Sequence, residues 1–199
     1  MSALWTMCRL LLVAGLFLSS GCATTKLLSV WRDPEYTGTP RNIMVMGVMG
    51  NLVLKTQFED EFVRQLKARG IDAVAGSSQL PADTVLDKDV IAAKMKDIGA
   101  DTVLITRVVD RRTIESMASS APGPRSTGQW YGYYSTSVAG MTSSLMASTQ
   151  TNIYDLKTDR LIWTAVSDTW IQGSEDNLFI IRTFVPVIIK RLVEEKVIK

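Results

Sequence analysis

The chain has 199 residues, of which 46% are hydrophobic and 21% are charged, and its formal net charge is +2. This composition predicts a folded protein and provides no basic surface of the size that nucleic-acid binding requires. Histidine is absent and only 2 cysteines occur. Histidine-based general base catalysis, Ser-His-Asp and Cys-His nucleophile systems, and histidine-containing zinc sites are therefore excluded. We expect neither a metal ion nor another cofactor.

The N-terminal segment has the features of a secretory signal. Leu10–Leu18 is an uninterrupted apolar run preceded by Arg9, and it is too short to span a bilayer as a helix. Small residues then lead into Cys22. This pattern resembles the lipobox of bacterial lipoproteins, in which the cysteine is acylated and the preceding segment is removed. The resemblance implies a signal peptide over residues 1–21 and a lipid anchor of the palmitate class on Cys22.

The cysteine content agrees with an anchor. Cleavage before Cys22 leaves a single cysteine and 21 basic against 20 acidic residues. A lone thiol is a liability in an oxidising envelope, whereas an acylated thiol attaches the protein to the membrane. Ala23 after the cysteine resembles the residue that directs well-known lipoproteins to the outer membrane. We therefore predict a protein that is lipid-anchored at the outer membrane and faces the periplasm.

The first elements of the mature chain are a strand and a helix. A tether over residues 22–40 contains a short edge segment at Lys26–Val30, and the apolar run Asn42–Val48 predicts a buried strand. Thr56 and Glu59 have the spacing of a capping box, which predicts a helix starting near Thr56. Its end is predicted at Gly70, where a left-handed C-cap belongs. Apolar residues repeat along one face of this helix: Phe58, Phe62, Val63 and Leu66.

Acidic residues follow one another in this helix at Glu59, Asp60 and Glu61. Consecutive helical residues point in different directions, so we interpret the three as a solvated face rather than as an acid/base or metal cluster. Asp60 and Arg64 have the i,i+4 spacing of a surface ion pair.

Further elements complete an α/β pattern. Strands at Ile71–Ala75 and Thr102–Val109 flank a helix that Asp87 caps. Apolar residues on that helix are predicted to face inward: Val90, Ile91, Met95 and Ile98. Short connections between these elements require right-handed crossovers, and therefore a parallel core.

The C-terminal part predicts antiparallel pairing. Two strand-like runs, from about Leu145 to Tyr154 and from Leu161 to Trp170, are joined by the turn Asp155–Asp159. A helix that opens near Ser174 and contains Pro186 closes the chain. The predicted fold is a single α/β domain over residues 41–199 with a mixed sheet. Its parallel βαβαβ core is followed by an antiparallel β-hairpin and a C-terminal helix.

An insert rich in Ser, Thr, Gly and Tyr lies at about residues 111–144. Between Ser116 and Tyr154 there is no acidic residue, and Arg125 is the one basic residue. We expect a loop here. Its aromatic side chains can contact a partner, or they can fold back over the sheet, and we favour packing for most of them, with Trp130 as the exposed exception. The candidate contact residues are Trp130, Tyr131, Tyr133 and Tyr134.

The order of these elements resembles that of small Gram-negative lipoproteins of uncharacterised function. Their domain is similar to the amino-terminal domain of the TolB translocation protein and to curli-secretion-type lipoproteins. The resemblance is carried by Trp31–Pro34, the helix Phe58–Gly70, Gly99–Asp101 and the hairpin Tyr154–Trp163. It implies that the lipidated cysteine is the one functional residue the family shares.

The sequence favours a binding function over catalysis. It contains no nucleophile elbow, Walker A loop, CxxC pair, HExxH motif or EF-hand loop. The first hypothesis is a non-enzymatic, lipid-anchored protein whose domain binds another envelope component, either a protein or a polymer. The alternative is a structural or assembly subunit of an envelope or secretion apparatus, in which the uncharged insert pairs copies into a homo-oligomer. A carboxylate-based envelope hydrolase is the third hypothesis.

Overall fold

The structure is a computed structural model that describes residues 25–81, 87–109, 129–138, 146–170 and 177–199. The strands in these ranges are β1 (Thr25–Arg32), β2 (Asn42–Val48), β3 (Asp72–Ala75), β4 (Thr102–Val108), β5 (Met146–Asp155) and β6 (Arg160–Trp170). The helices are α1 (Leu52–Lys67), α2 (Lys88–Asp97), α3 (Gln129–Val138) and α4 (Asn177–Glu194), with a short 3-10 helix at Gly76–Ser78. The predicted signal segment 1–21 and Cys22 lie outside the described residues.

The strands form one mixed sheet in the order β1-β6-β5-β4-β2-β3. Strand β2 pairs in parallel with β3 and β4, and β5 pairs with β4 and β6 in antiparallel fashion. The prediction of an α/β fold with a parallel core, an antiparallel hairpin and a C-terminal helix is confirmed. The short edge segment predicted within the tether is an eight-residue strand, β1, which pairs with β6 at the edge of the sheet.

The two ends of the sheet are distinguished by the strands that begin and end there. At one end, β1 begins at Thr25 and β5 begins at Met146, while β2, β4 and β6 end. We call this end the base of the sheet. At the opposite end, the apex, β1 and β5 end and β2, β3, β4 and β6 begin. The described chain therefore enters the sheet at its base.

Successive side chains along each strand point to opposite faces of the sheet, so the apolar residues form two cores, one on each face. Ile43 and Val45 face the first core, which α1 and α4 cover, whereas Met44 and Met46 face the second core, which α2 and α3 cover. Trp163, which is fully buried, belongs to the first core.

Helix α1 starts earlier than the capping box predicts. Its N-cap is Asn51, whose side-chain oxygen accepts a hydrogen bond from the backbone N–H of Leu54 at 3.0 Å. Thr56 therefore lies inside the helix, and the predicted start is wrong. Gly70 follows the helix with a φ of 74°, a left-handed conformation that glycine adopts without steric cost.

The inner face of α2 is narrower than predicted. Asp87 caps the helix as expected, since its carboxylate accepts the N–H of Asp89 at 2.8 Å. Ile91 and Met95 are buried, but Val90 is 52% exposed. Spacing alone predicts Val90 on the buried face, and this prediction is wrong.

Candidate functional site

The aromatic cluster of the insert lies on a helix, not on a loop. Trp130, Tyr133 and Tyr134 are spaced by three and four residues on α3, so they share one face of it. The Ser, Thr and Gly content of this segment disfavours a helix intrinsically, and contacts with β2, β4 and β6 override that preference. At its start, the N–H of Trp130 donates to the Asp159 carboxylate at 3.4 Å.

Burial separates the four aromatic residues into two pairs. Trp130 is 4% exposed and Tyr134 is 8% exposed, and both belong to the second core. Tyr131 and Tyr133 are half-buried at the margin of that core. The expectation that Trp130 is the exposed exception is therefore wrong. Contact of these four residues with a partner stays a prediction.

Tyr133 ties α3 to the sheet through polar contacts. The guanidinium carbon of Arg107 lies 4.2 Å from the centre of the Tyr133 ring, a cation–π geometry. Arg107 also donates to the side-chain oxygen of Gln150 at 3.1 Å, and the Tyr133 hydroxyl donates to the backbone carbonyl of Gln150 at 3.0 Å. These contacts of Tyr133, Arg107 and Gln150 connect α3 with β4 and β5.

A band of buried polar side chains crosses the sheet toward its base. Its members bond in pairs between strands: Thr25 with Thr169 (3.0 Å), Ser148 with Asp168 (2.6 Å), Thr149 with Ser167 (2.8 Å), Thr106 with Thr151 (2.9 Å) and Asn152 with Thr164 (2.6 Å). Pairing of this kind offsets the cost of burying polar groups. The sequence signal for the band is the run of Ser, Thr, Asn and Gln in β5 and β6, which we interpreted only as hairpin strands.

The phenols beside this band remain protonated at neutral pH. Burial is the main cause that raises the pKa of Tyr133 far above its usual range, and burial also raises the pKa of Tyr154 to about 12. The Tyr154 hydroxyl accepts a hydrogen bond from the Asn152 amide at 2.8 Å. Neither phenol is suited to act as a general base, because its proton is held well beyond the operating range.

Glu59 is a buried residue that holds backbone segments together, and it is not part of a solvated face. Its side chain is fully buried and accepts the N–H of Gly47 at 2.8 Å and the N–H of Ser77 at 2.6 Å. Lys55 lies 3.5 Å from the same carboxylate. The contacts join the end of β2 to the turn after β3. The solvated-face interpretation is wrong for Glu59, and Arg64 forms its ion pair with Glu61 at 2.6 Å instead of with Asp60.

Removing the Glu59 carboxylate should destabilise the domain. We expect Glu59→Ala to lower the free energy of unfolding by about 3 kcal/mol, because two buried N–H donors lose their acceptor at roughly 1–3 kcal/mol each. Urea unfolding of residues 22–199 measures the change. Asp60→Ala, at an exposed neighbouring position, is the matched control and should stay within about 0.5 kcal/mol of the parent. Equal effects of the two substitutions on the free energy of unfolding would contradict the structural role of Glu59.

Other carboxylates also have structural partners. Asp33 is 1% exposed and pairs with Arg160 at 2.7 Å. Asp101 accepts the N–H groups of Arg41 (3.1 Å) and Asn42 (3.3 Å), which aligns the starts of β2 and β4. Within the described ranges there is no group of three or more His, Cys, Asp or Glu residues that could hold a metal ion.

Among the same residues, no helix has the length and apolar character that crossing a membrane requires.

Comparisons with known proteins give likeness in structure alone. No protein-family profile matches the chain, and no curated protein sequence matches it. A PelC dodecamer from Paraburkholderia phytofirmans is 10% identical, with a TM-score of 0.49 over 84% of this chain and 96% of that chain. A second PelC dodecamer structure from that organism is 11% identical, with a TM-score of 0.44 over 85% and 98%. A PDZ domain protein from Parabacteroides distasonis is 13% identical, with a TM-score of 0.43 over 87% of this chain and 38% of that chain.

Proposed function

We propose that this protein is a non-enzymatic, lipid-anchored envelope protein whose α/β domain binds another envelope component, protein or polymer. The observation that carries the proposal is the apolar run Leu10–Leu18 followed by small residues and Cys22. The membrane is then the partner of the acylated Cys22, and the outer membrane facing the periplasm is the proposed location. The resemblance to small Gram-negative lipoproteins with a TolB-like domain remains part of this proposal.

The chemistry of the described residues supports binding over catalysis. Acid/base catalysis needs a group that exchanges its proton near neutral pH within reach of a substrate. The phenols of Tyr133 and Tyr154 hold their protons, and the carboxylates of Glu59 and Asp33 are buried and bonded to backbone or basic groups. These contacts give the carboxylates structural roles and count against the hydrolase hypothesis.

A subunit of an envelope assembly is the second candidate. The observation that favours it is the position of β1 at the edge of the sheet, where an extended strand can pair with another copy. Leu28 on this strand is 46% exposed. The register shift between Leu27 and Ser29 weakens such an edge, since bulges interrupt pairing. We therefore rank assembly through β1 below binding of a different component.

Cys22→Ala tests the anchor. We expect the variant to leave the membrane fraction and to keep the circular dichroism of the parent domain, because residue 22 precedes the first strand. Cell fractionation after salt and carbonate washes measures the shift. Cys8→Ala is the matched control, since Cys8 belongs to the segment that processing removes, and it should fractionate like the parent. A Cys22→Ala protein that stays with the membrane would contradict the proposal.

A further inference from the structure

We propose that the base of the sheet lies against the bilayer surface, with Leu52 and Val53 contacting the lipid headgroup region. The inference rests on the lipid anchor proposed above and adds the orientation of the domain to it. The occupant of this surface is a phospholipid leaflet. A second copy of the chain and a different protein are alternatives that the experiment distinguishes.

The length of chain between anchor and sheet carries the first step. Ala23 and Thr24 alone separate Cys22 from Thr25, where β1 begins. Three fully extended residues reach about 10–11 Å at most. Thr25 is 8% exposed and is bonded to Thr169 at 3.0 Å, so it is fixed in the sheet. An acyl group on Cys22 therefore holds the base of the sheet close to the bilayer.

Apolar side chains at the same end supply a second point of contact. Strand β2 ends at Val48, and α1 begins at Leu52 soon afterwards. Leu52 is 44% exposed and Val53 is 66% exposed, while Val108 at the end of β4 is 39% exposed. Strand β2 stands four places from β1 in the sheet order, a separation of about 19 Å at the usual spacing between strands. Anchor and apolar patch thus meet the bilayer at separate points, which limits the tilt of the sheet along the strand order.

Nitroxide quenching tests the contact. The full-length chain carrying Val53→Cys is purified as the processed lipoprotein, in which residue 53 supplies the only free thiol, and is labelled there with the fluorophore NBD. The labelled protein is reconstituted into phosphatidylethanolamine and phosphatidylglycerol vesicles with and without nitroxide-labelled lipid. Lys157→Cys, at an exposed position in the turn between β5 and β6, is the matched control at the apex. We expect about twofold or stronger quenching at residue 53, as for a side chain in the headgroup region, and almost none at residue 157.

The outcomes separate this inference from the function proposed above. If two thiols react with the label, Cys22 is not acylated, and both the anchor and the orientation fall. If one thiol reacts but residues 53 and 157 are quenched equally, the anchor stands and the orientation is wrong. A blue-shifted emission at residue 53 without nitroxide quenching would indicate a protein surface, such as a second copy, and would also overturn the lipid contact.

Discussion

Replacing Trp130, Tyr131, Tyr133 and Tyr134 together with serine should lower the free energy of unfolding by at least about 4 kcal/mol. Two of these side chains are core residues, and removing one large buried aromatic side chain typically costs about 3–5 kcal/mol. The substitution also removes the ring beneath Arg107 and the hydroxyl that bonds to Gln150. This loss is a large share of the roughly 5–15 kcal/mol that stabilises a domain. Urea unfolding of residues 22–199 measures it.

A second substitution on the same segment tests whether residues 129–138 form the helix α3 in solution. Gly132 is exposed, and among the described residues beyond its chain neighbours and the backbone of its own helix, no heavy atom lies within 4 Å of a Cβ added there. Because glycine weakens a helix by roughly 0.5–1 kcal/mol relative to alanine, Gly132→Ala should stabilise the domain by about that amount. Chemical crosslinking in intact cells gives the contrary outcome. If the quadruple serine variant were as stable as the parent but no longer recovered the envelope components that crosslink to the parent, the aromatic face would be a contact surface and the packing result would be wrong.

Local patterns predicted most of the elements correctly. The run at residues 42–48 and the turn residues at 155–159 mark their strands directly, because strand patterns and turn chemistry depend on neighbours in sequence. The inner face of α1 also follows from spacing alone, since Phe58, Phe62 and Leu66 are all buried. These signals were sufficient for the fold class, including the parallel core and the antiparallel hairpin.

Long-range partners explain what the sequence could not show. Glu59 completes the spacing of a capping box, yet its partners are the N–H groups of Gly47 and Ser77, which are 12 and 18 residues away. Only the paired β2 and β3 bring those groups together. The real N-cap, Asn51, carries an equally plain signal, because asparagine is a preferred capping residue. The choice between two caps depended on a contact that no local pattern contains.

The sequence predicts a loop where the aromatic helix α3 lies, for a related reason. Gly, Ser and Thr in this segment disfavour a helix, and Gly and Ser favour turns and loops by their intrinsic propensity. Burial of Trp130 and Tyr134 against the second core supplies a larger energy than those preferences, at roughly 1.5–3 kcal/mol for each large apolar side chain. The i,i+3 and i,i+4 spacing of the aromatic residues was the available signal for a helix, and it outweighs composition when a core is present to receive it.

Phe62→Ala should be among the most damaging single substitutions, at about 3–5 kcal/mol. Phe62 is fully buried, and its ring meets Phe58 at 5.0 Å and Phe184 on α4 at 6.2 Å, both edge to face. Its loss therefore leaves a cavity between α1, α4 and the sheet and removes two aromatic contacts. Val53→Ala on the same helix, at a 66% exposed position, should change the free energy of unfolding by no more than about 0.5 kcal/mol. A Phe62→Ala effect below about 1 kcal/mol in urea unfolding would mean that α1 presents a different face to the core.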